Sequence, residues 1–334
     1  MTTSTLTVRW LSPTSAWRLL TCPASLGRPQ GTLRSLEPNA GTIAHQAIQR
    51  WIDTGDWTDP IQRGGRLTAH FDAAARDARA DIAVLRDGRM TRARLAARAG
   101  QLAAELTELT PGGASIACEQ PLSDPERRLR GIPDVAVHGR RSAVIDFKTG
   151  RDATVPLPER VRLQLLIYAH LYRCVYGQLP EIVEAFSLIH GPLRMSADGA
   201  SVEATLNAIT EARAQDPELA RPSPTACAFC ARRFVCEPHW NAVPTWDAPD
   251  ALEGRIAQVE HAKTGAIALS IETDAGTQWV THIPHDRLPA HAEVGSYLRI
   301  IHVYRKNTND PEASGWEWRA GRLVDIRICP MRKD

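Results

Sequence analysis

Near residue 250 the chain changes texture, and that change limits the folds open to it more than any other feature. From 252 to 328 it carries five strand-like runs, "LEGRIAQVEH", "AIALSIET", "TQWVTHI", "SYLRIIHVYR" and "WEWRAGRLVDIRI", with turn residues between most of them. Five short strands without a long helix predict a small OB-like β-barrel over 251–334. Before the change, helical and extended periods are mixed, which predicts an α/β core. "GTIAHQAIQRWI" (41–52) has helical spacing, as do 67–86 and 92–109. "ASIACEQPL", "LRGIPDVAVH" and "SAVIDFKTG" read as three strands, broken by "SDPER" and "GRR". A helix follows over 159–177, stopped by Gly177 with Pro180 beyond it, then a strand at "EIVEAFSLIHG" and a helix over 201–216. Neither an internal repeat nor a low-complexity tract occurs, so 241–250 is the expected linker between domains 1–240 and 251–334.

A length of 334 residues suits one large domain or two moderate ones, and 43% hydrophobic with 23% charged residues is ordinary for a globular protein. The net charge of +2 leaves any nucleic-acid affinity to a local patch. No apolar run reaches about 18 residues and the amino terminus lacks a signal-peptide core, so the expected location is the cytoplasm, without a membrane partner. Seven cysteines, an odd number, are a poor basis for a disulfide framework in that reducing compartment. Three of them cluster as C-x₂-C-x₅-C at Cys227, Cys230 and Cys236, which points to a metal. The fourth ligand of a closed site has two candidates: His239 would complete a local Cys₃His zinc knuckle, and Cys22 would complete a Cys₄ site. Cys118, Cys174 and Cys329 read as ordinary buried thiols.

Lysine is rare here. Only four of the 40 basic residues are Lys, and one of them, Lys148, ends the apolar strand "AVIDFK". Side chains alternate along a strand, so Asp146 and Lys148 share one face while Ile145 and Phe147 take the other. If the turn to the preceding strand has three residues, paired positions sum to 280 and Asp134 faces Asp146. A two-residue turn would send the two carboxylates to opposite faces. Two carboxylates on one face suit Mg²⁺ or Mn²⁺, and an adjacent lysine can orient a water and offset charge building on a phosphate. Arginine, always protonated and wider, would serve poorly there.

"PD" at 133–134, followed after eleven residues by "DFK" at 146–148, resembles the signature of the PD-(D/E)xK nuclease superfamily. "GTIAHQAIQRW", with His45, resembles the upstream histidine motif of its RecB-type branch. "QLLIY", with Gln164 and Tyr168 four apart on one helical face, resembles the motif after the lysine strand. "SPTSAWRLLTCP", taken with "CAFCARRFVC", is similar to the iron–sulfur staple of AddB-type and CRISPR-adaptation exonucleases. The resemblance spans roughly residues 10–240. It implies a restriction-endonuclease-like mixed sheet flanked by helices. It also implies His45, Asp134 and Asp146 as ligands of Mg²⁺ or Mn²⁺, Lys148 as catalytic, and Gln164 and Tyr168 near the substrate. The "one far, three near" order, with Pro23 after Cys22, implies a 4Fe–4S cluster on Cys22, Cys227, Cys230 and Cys236. Glu119, ending the strand before, is either an outer metal contact or a solvated strand end.

Each of these residues also has a plain structural reading. His45 alone is a buried core histidine, and Gln164 and Tyr168 alone are helix-packing residues. Arg76, Arg79, Arg86, Arg92, Arg94 and Arg98 could follow DNA phosphates. Interleaved with Asp72, Asp77 and Asp81, they read better as a solvated face. Trp279, Tyr304, Trp316 and Trp318 either stack bases or fill the barrel core. Two functions are therefore open. One is a metal-dependent DNA nuclease, expected to act as an exonuclease on single-stranded ends in repair, CRISPR adaptation or defence. The other is a non-catalytic DNA-binding or scaffold subunit of a helicase–nuclease complex. The chain has no G-x-x-x-x-G-K-[ST] string, so a helicase or a CRISPR or defence partner would act in trans.

Overall fold

The computed structural model describes residues 9–27, 39–111, 115–150, 153–305 and 316–329, with Trp316 as backbone only. Ala114, where the first expected strand begins, lies outside them. The chain packs as two compact units, one from residues 1–20 and 34–217, the other from 21–33 and 218–334.

The first unit contains α1 (Pro13–Thr21, whose last residue is counted with the other unit), α2 (Ala40–Asp53), α3 (Arg63–Asp77) and α4 (Gly88–Leu109), then β1 (Ser115–Cys118), β2 (Leu122–Asp124), β3 (Leu129–Gly131), β4 (Val135–His138) and β5 (Ala143–Lys148). It continues with α5 (Glu159–Tyr176), β6 (Ile182–Ser187), β7 (Gly191–Met195) and α6 (Gly199–Arg213). The main sheet has the order β1-β4-β5-β6-β7, antiparallel except for the β5–β6 pair, which α5 connects as a crossover. One sheet face, through Val135, Val137, Ile145, Phe147 and Phe186, packs on α2, α3 and α4. Against β5 and β6 packs α5.

Local chemistry sets the elements that carry the site. Asn39 caps α2, its side chain accepting from Thr42 N at 3.0 Å. The buried positions Ile43, Ala44, Ala47, Ile48, Trp51 and Ile52 then repeat at the helical period. Gly177, at φ 82°, closes α5 in the left-handed conformation that glycine adopts without a Cβ clash.

Several boundaries differ from expectation, each for a local reason. "LRGIPDVAVH" is two strands: Pro133 lacks an N–H, and β3 pairs with β2 in a separate hairpin while β4 joins the main sheet. "ASIACEQPL" likewise divides into β1 and β2, with Glu119 at φ 47° between them. The helix expected over 67–86 ends at Asp77, and Arg79 at φ 53° turns the chain. "EIVEAFSLIHG" supplies β6 and a turn, and Gly191 at φ 81° begins a further strand, β7, beyond the expected ones.

The second unit holds the cysteine segment, with short helices α7 (Pro224–Cys227) and α8 (Glu237–Ala242), and a closed five-stranded barrel. Its strands are β8 (Ala251–His261), β9 (Ala266–Thr273), β10 (Gly276–Pro284), β11 (Tyr297–Arg305) and β12 (Trp316–Ile328), in the cyclic order β10-β12-β11-β8-β9. Only the β10–β12 pair is parallel. Ile256, Leu269, Ile271, Val280, Leu298, Ile300 and Val324 fill the barrel. A second cluster joins Phe234, Trp240 and Val243 to Ala251 and Ile301, so residues 241–250 lie inside this unit.

Candidate active site

Val135 pairs with Ile145 and Val137 with Ala143, which is the register summing to 280. Asp134, one residue before β4, is therefore brought toward Asp146, and the site follows. His45 Nδ1 lies 2.8 Å from Asp134 Oδ1, and Asp134 Oδ2 accepts from the Phe147 backbone N–H at 2.5 Å. On the next turn of the network, Lys148 Nζ donates to Gln164 Oε1 at 2.8 Å, and Gln164 Nε2 donates to Asp146 Oδ1 at 2.9 Å and to Tyr168 Oη at 3.2 Å. The Tyr168 hydroxyl donates to Ile132 O at 3.1 Å. Gln164 and Tyr168 lie one helical turn apart on α5, so this helix places both against β5. All six expected side chains are thus joined in two hydrogen-bonded groups.

Electrostatics follow from burial. Burial pushes the Asp146 carboxyl up, the Asp134 charge adds to it, and Lys148 and His45 pull the other way without cancelling it. Burial pulls His45 down, but its hydrogen bond to Asp134 and the charges of Asp134 and Asp146 outweigh this, and the imidazole lies above its ordinary value. Burial, then the Asp146 charge, raise the Tyr168 phenol. Lys148 Nζ lies 2.7 Å from Asp146 Oδ2, so the second oxygen of this buried carboxylate is held in an ion pair. The carboxylate oxygens of Asp134 and Asp146 and the imidazole of His45 form a donor set that fits a hard divalent cation.

Two clefts border these residues. A polar one of about 630 Å³ is lined by His45, Gln46, Gln49, Arg50, Glu119 and Thr149 among others, which puts the exposed Glu119 beside His45. The other, of about 620 Å³, reaches Tyr168 and Ile132. One residue that sequence reasoning passed over matters here. A Cβ on Gly131 would fall 2.7 Å from Tyr168 Cε1, so the glycine admits the tyrosine ring against β3. The "RGIPD" string was visible, but nothing in it points to α5.

In the second unit, Cys22, Cys227, Cys230 and Cys236 line one cavity of about 230 Å³ with His239. Burial pushes the Cys227 thiol up to about 11, and the neighbouring Cys230 and Cys22 add to it. Cys236 is raised by burial and then by Cys22 and Cys230. Cys22 Sγ accepts from Arg221 N at 3.3 Å. His239 is fully buried; its Nε2 accepts from Arg233 Nε at 2.9 Å, and burial followed by the Arg233 charge pulls it down to about 3. Arg233, itself 1% exposed, also donates both terminal nitrogens to Asp250.

Three ligand-type side chains with ligand atoms within 4.8 Å of one another occur elsewhere among the described residues, at Asp124, His170 and Cys174. His170 Nε2 lies 2.7 Å from Asp124 Oδ2 and 3.5 Å from Cys174 Sγ, while Arg173, a donor only, approaches Nδ1 at 3.2 Å. The imidazole therefore carries its proton on Nε2 toward Asp124, and a cation there would have to displace it. Cys174 is exposed and Cys118 and Cys329 half-buried, against the expectation of buried thiols. In the barrel, Trp318 belongs to the core, its indole N–H donating to Gln278 Oε1 at 2.9 Å, which removes it from the stacking candidates. Trp279 is half-buried and Tyr304 exposed, and the Trp316 side chain lies outside the description. Arg92 holds Asp72 in two bonds of 2.7 and 2.8 Å and Arg98 donates to the carbonyls of Leu188 and Ile189, which gives both a structural role.

The sequence model of the PD-(D/E)XK nuclease superfamily matches residues 10–237. No curated protein matches the chain. Solved structures similar to it include the tetrameric p202 HIN2, at 10% identity over 65% of this chain and 93% of that one, with a TM-score of 0.22. A murine DNA binding protein bound with double-stranded DNA is similar at 8% identity over 64% and 94%, with a TM-score of 0.21. Likeness at that level bears on neither fold nor function. No helix among the described residues is long and apolar enough to cross a membrane.

Proposed function

This chain belongs to the PD-(D/E)XK nuclease superfamily, and we propose that it is a Mg²⁺- or Mn²⁺-dependent deoxyribonuclease acting as an exonuclease on single-stranded ends. The observation that carries the reading is the convergence of His45 with Asp134 and of Lys148 with Asp146, whose Oδ2 lies 2.7 Å from Lys148 Nζ, with Gln164 bonded to both members of the second pair. His45, Asp134 and Asp146 would hold the cation, which when bound lowers the pKa of a water and offsets phosphate charge. Gln164, donating to Asp146 Oδ1 and accepting from Lys148 Nζ, fixes both groups relative to each other. Lys148 keeps a cationic donor at the edge of the site, where it orients a water and meets charge developing on a phosphate oxygen. His45 holds Asp134 through Nδ1, and the Phe147 N–H fixes the other oxygen of that carboxylate.

The cysteine site is read as a 4Fe–4S cluster on Cys22, Cys227, Cys230 and Cys236. Four thiols around about 230 Å³ support it, because a single zinc draws its thiolates to about 2.3 Å and needs no such space. His239 accepts from Arg233 at Nε2, while its buried Nδ1 has no hydrogen bond and is the nitrogen a Cys₃His knuckle would use. The barrel's strand order and its single parallel pair support the OB reading and a role in holding DNA. We place the protein in the cytoplasm, with a helicase or a CRISPR or defence partner in trans. End-labelled single-stranded and duplex DNA, with and without Mn²⁺, test the reading on a gel: Mn²⁺-dependent shortening of the single strand supports it. Intact DNA under every condition would leave the non-catalytic scaffold.

A further inference from the structure

We propose that the cleft beside Tyr168 is a nucleobase seat for the single strand entering the site, with Trp10 as its stacking platform and Arg130 as its phosphate contact. The inference deepens the nuclease reading and rests on it. Trp10 is 40% exposed and Ile132 53% exposed, two large apolar side chains open to solvent on the wall of one cleft of about 620 Å³. Ser12, Thr14, Ser123 and Arg130 supply its polar groups, and no carboxylate lines it among the described residues. A polyanion with flat apolar bases fits that combination, whereas a cationic peptide finds no partner.

The cleft is fixed in place and continuous with the site. Leu11 N donates to Arg128 O at 3.0 Å and Arg130 N to Leu11 O at 3.0 Å, so Trp10 is tied by backbone to β3. Ser123 and Arg130 are paired across the β2–β3 hairpin on its exposed face. Tyr168 forms part of the wall, holds Ile132 O at 3.1 Å, and receives Gln164 Nε2, which also holds Asp146. Only Pro133 separates Ile132 from Asp134. A strand whose base rests on Trp10 and Ile132 is thus led along β3 toward the two carboxylates. The cleft on the His45 side is polar, with Asn39, Thr42, Gln46 and Gln49, and offers no such apolar wall. A paired base cannot turn its face to a tryptophan, so the seat favours single strands over duplex.

Binding without cleavage tests this. A fluorescein-labelled oligo-dT and a blunt duplex of equal length are titrated with the full chain in EDTA, so that no cutting occurs. Trp10→Ala should weaken oligo-dT binding about tenfold, Trp10→Phe less than threefold, and neither should change duplex binding. In the unaltered protein, photo-crosslinking with a 5-iodouracil oligonucleotide should label Trp10. Equal affinity of Trp10→Ala for oligo-dT, an equal loss on duplex, or crosslinks confined to other residues would overturn the seat. A protein that binds through Trp10 but never cuts defeats the nuclease reading and leaves the seat. One that cuts and ignores Trp10 does the reverse.

Discussion

Lys148 Nζ lies 2.7 Å from Asp146 Oδ2 on the same face of one strand, and a single amide ties the two together. The amine also donates to Gln164, and Gln164 returns a bond to the other oxygen of Asp146. This bridging amide keeps cation and carboxylate adjacent and fixes both against α5.

Replacing Lys148 with alanine should abolish cleavage and leave DNA binding nearly intact, since only one phosphate contact is lost. The salt slope of binding should change by about one unit or less. A Lys148→Ala protein that cuts at the wild-type rate would remove the lysine from the chemistry.

Asp146→Asn should raise the melting temperature of the metal-free protein at pH 8 while removing its response to Mn²⁺. The folded pKa of Asp146 is raised, chiefly by burial, so the stability tied to its protonated form is present at low pH and lost as pH climbs through that pKa. The gain from asparagine should therefore shrink on acidification toward pH 4. Thermal melts of both proteins across pH 4–8, with and without Mn²⁺, read the effect; a wild-type protein that Mn²⁺ does not stabilise would argue against the cation site.

The acid pair was legible because strand alternation and a three-residue turn fix which side chains share a face, and Val135 opposite Ile145 realises that register. The barrel was legible because its strands are long enough to show their period; β9 and β12 begin and end where their runs do. Three-residue strands show none, which hid the β2–β3 hairpin and with it the cleft at Trp10. Buried arginines were equally hidden. Nothing in the local sequence sets Arg233 or Arg299 apart, yet both are buried, and Arg299 donates to Phe234 O and to Glu237 and Glu253 with its guanidinium over Trp240. Pairing at that distance along the chain leaves no mark in local composition. Asp124 and His170, 46 residues apart, are a further instance.

Glu184 should make stability fall with alkaline pH. Burial on the inner strand β6 is the main cause of its rise to about 7, opposed by its bond to Arg194 and reinforced by Glu105. The stability tied to its protonated form is present below its unfolded value and lost as pH rises through about 7. Relative to Glu184→Gln, the wild type should lose about 1–3 kcal/mol between pH 5 and pH 9. Denaturant melts with parallel pH profiles for the two proteins would refute the assignment.

Cutting the chain after Trp246 should give insoluble protein. The truncation strips Ala251 and Ile301 from Trp240 and Val243, and it removes Asp250 and Arg299 from their partners in the cysteine segment. Arg233→Ala, a milder test of the same contacts, should cost about 1–3 kcal/mol, because it removes the hydrogen bonds of a buried guanidinium to the half-buried Asp250. A soluble, well-folded truncation would instead establish the barrel as an independent module.

The two readings of the cysteine cavity part on Cys22 and His239. Anaerobically purified protein should be brown and carry about four irons per chain, as a site with four thiolates implies. Cys22→Ser should bleach it and lower the melting temperature, because the cluster closes a loop running from residue 22 to 227 and long closures constrain the unfolded chain most. His239→Ala should keep colour and iron while losing stability, since it deprives the buried Arg233 of the nitrogen that accepts its Nε–H. A colourless protein with one zinc, indifferent to Cys22→Ser and stripped of metal by His239→Ala, would hand the site to the Cys₃His knuckle. In either case the hydrolysis assigned to Asp134, Asp146 and Lys148 requires no electron, so a mild chemical oxidant should alter activity only as far as it alters the fold.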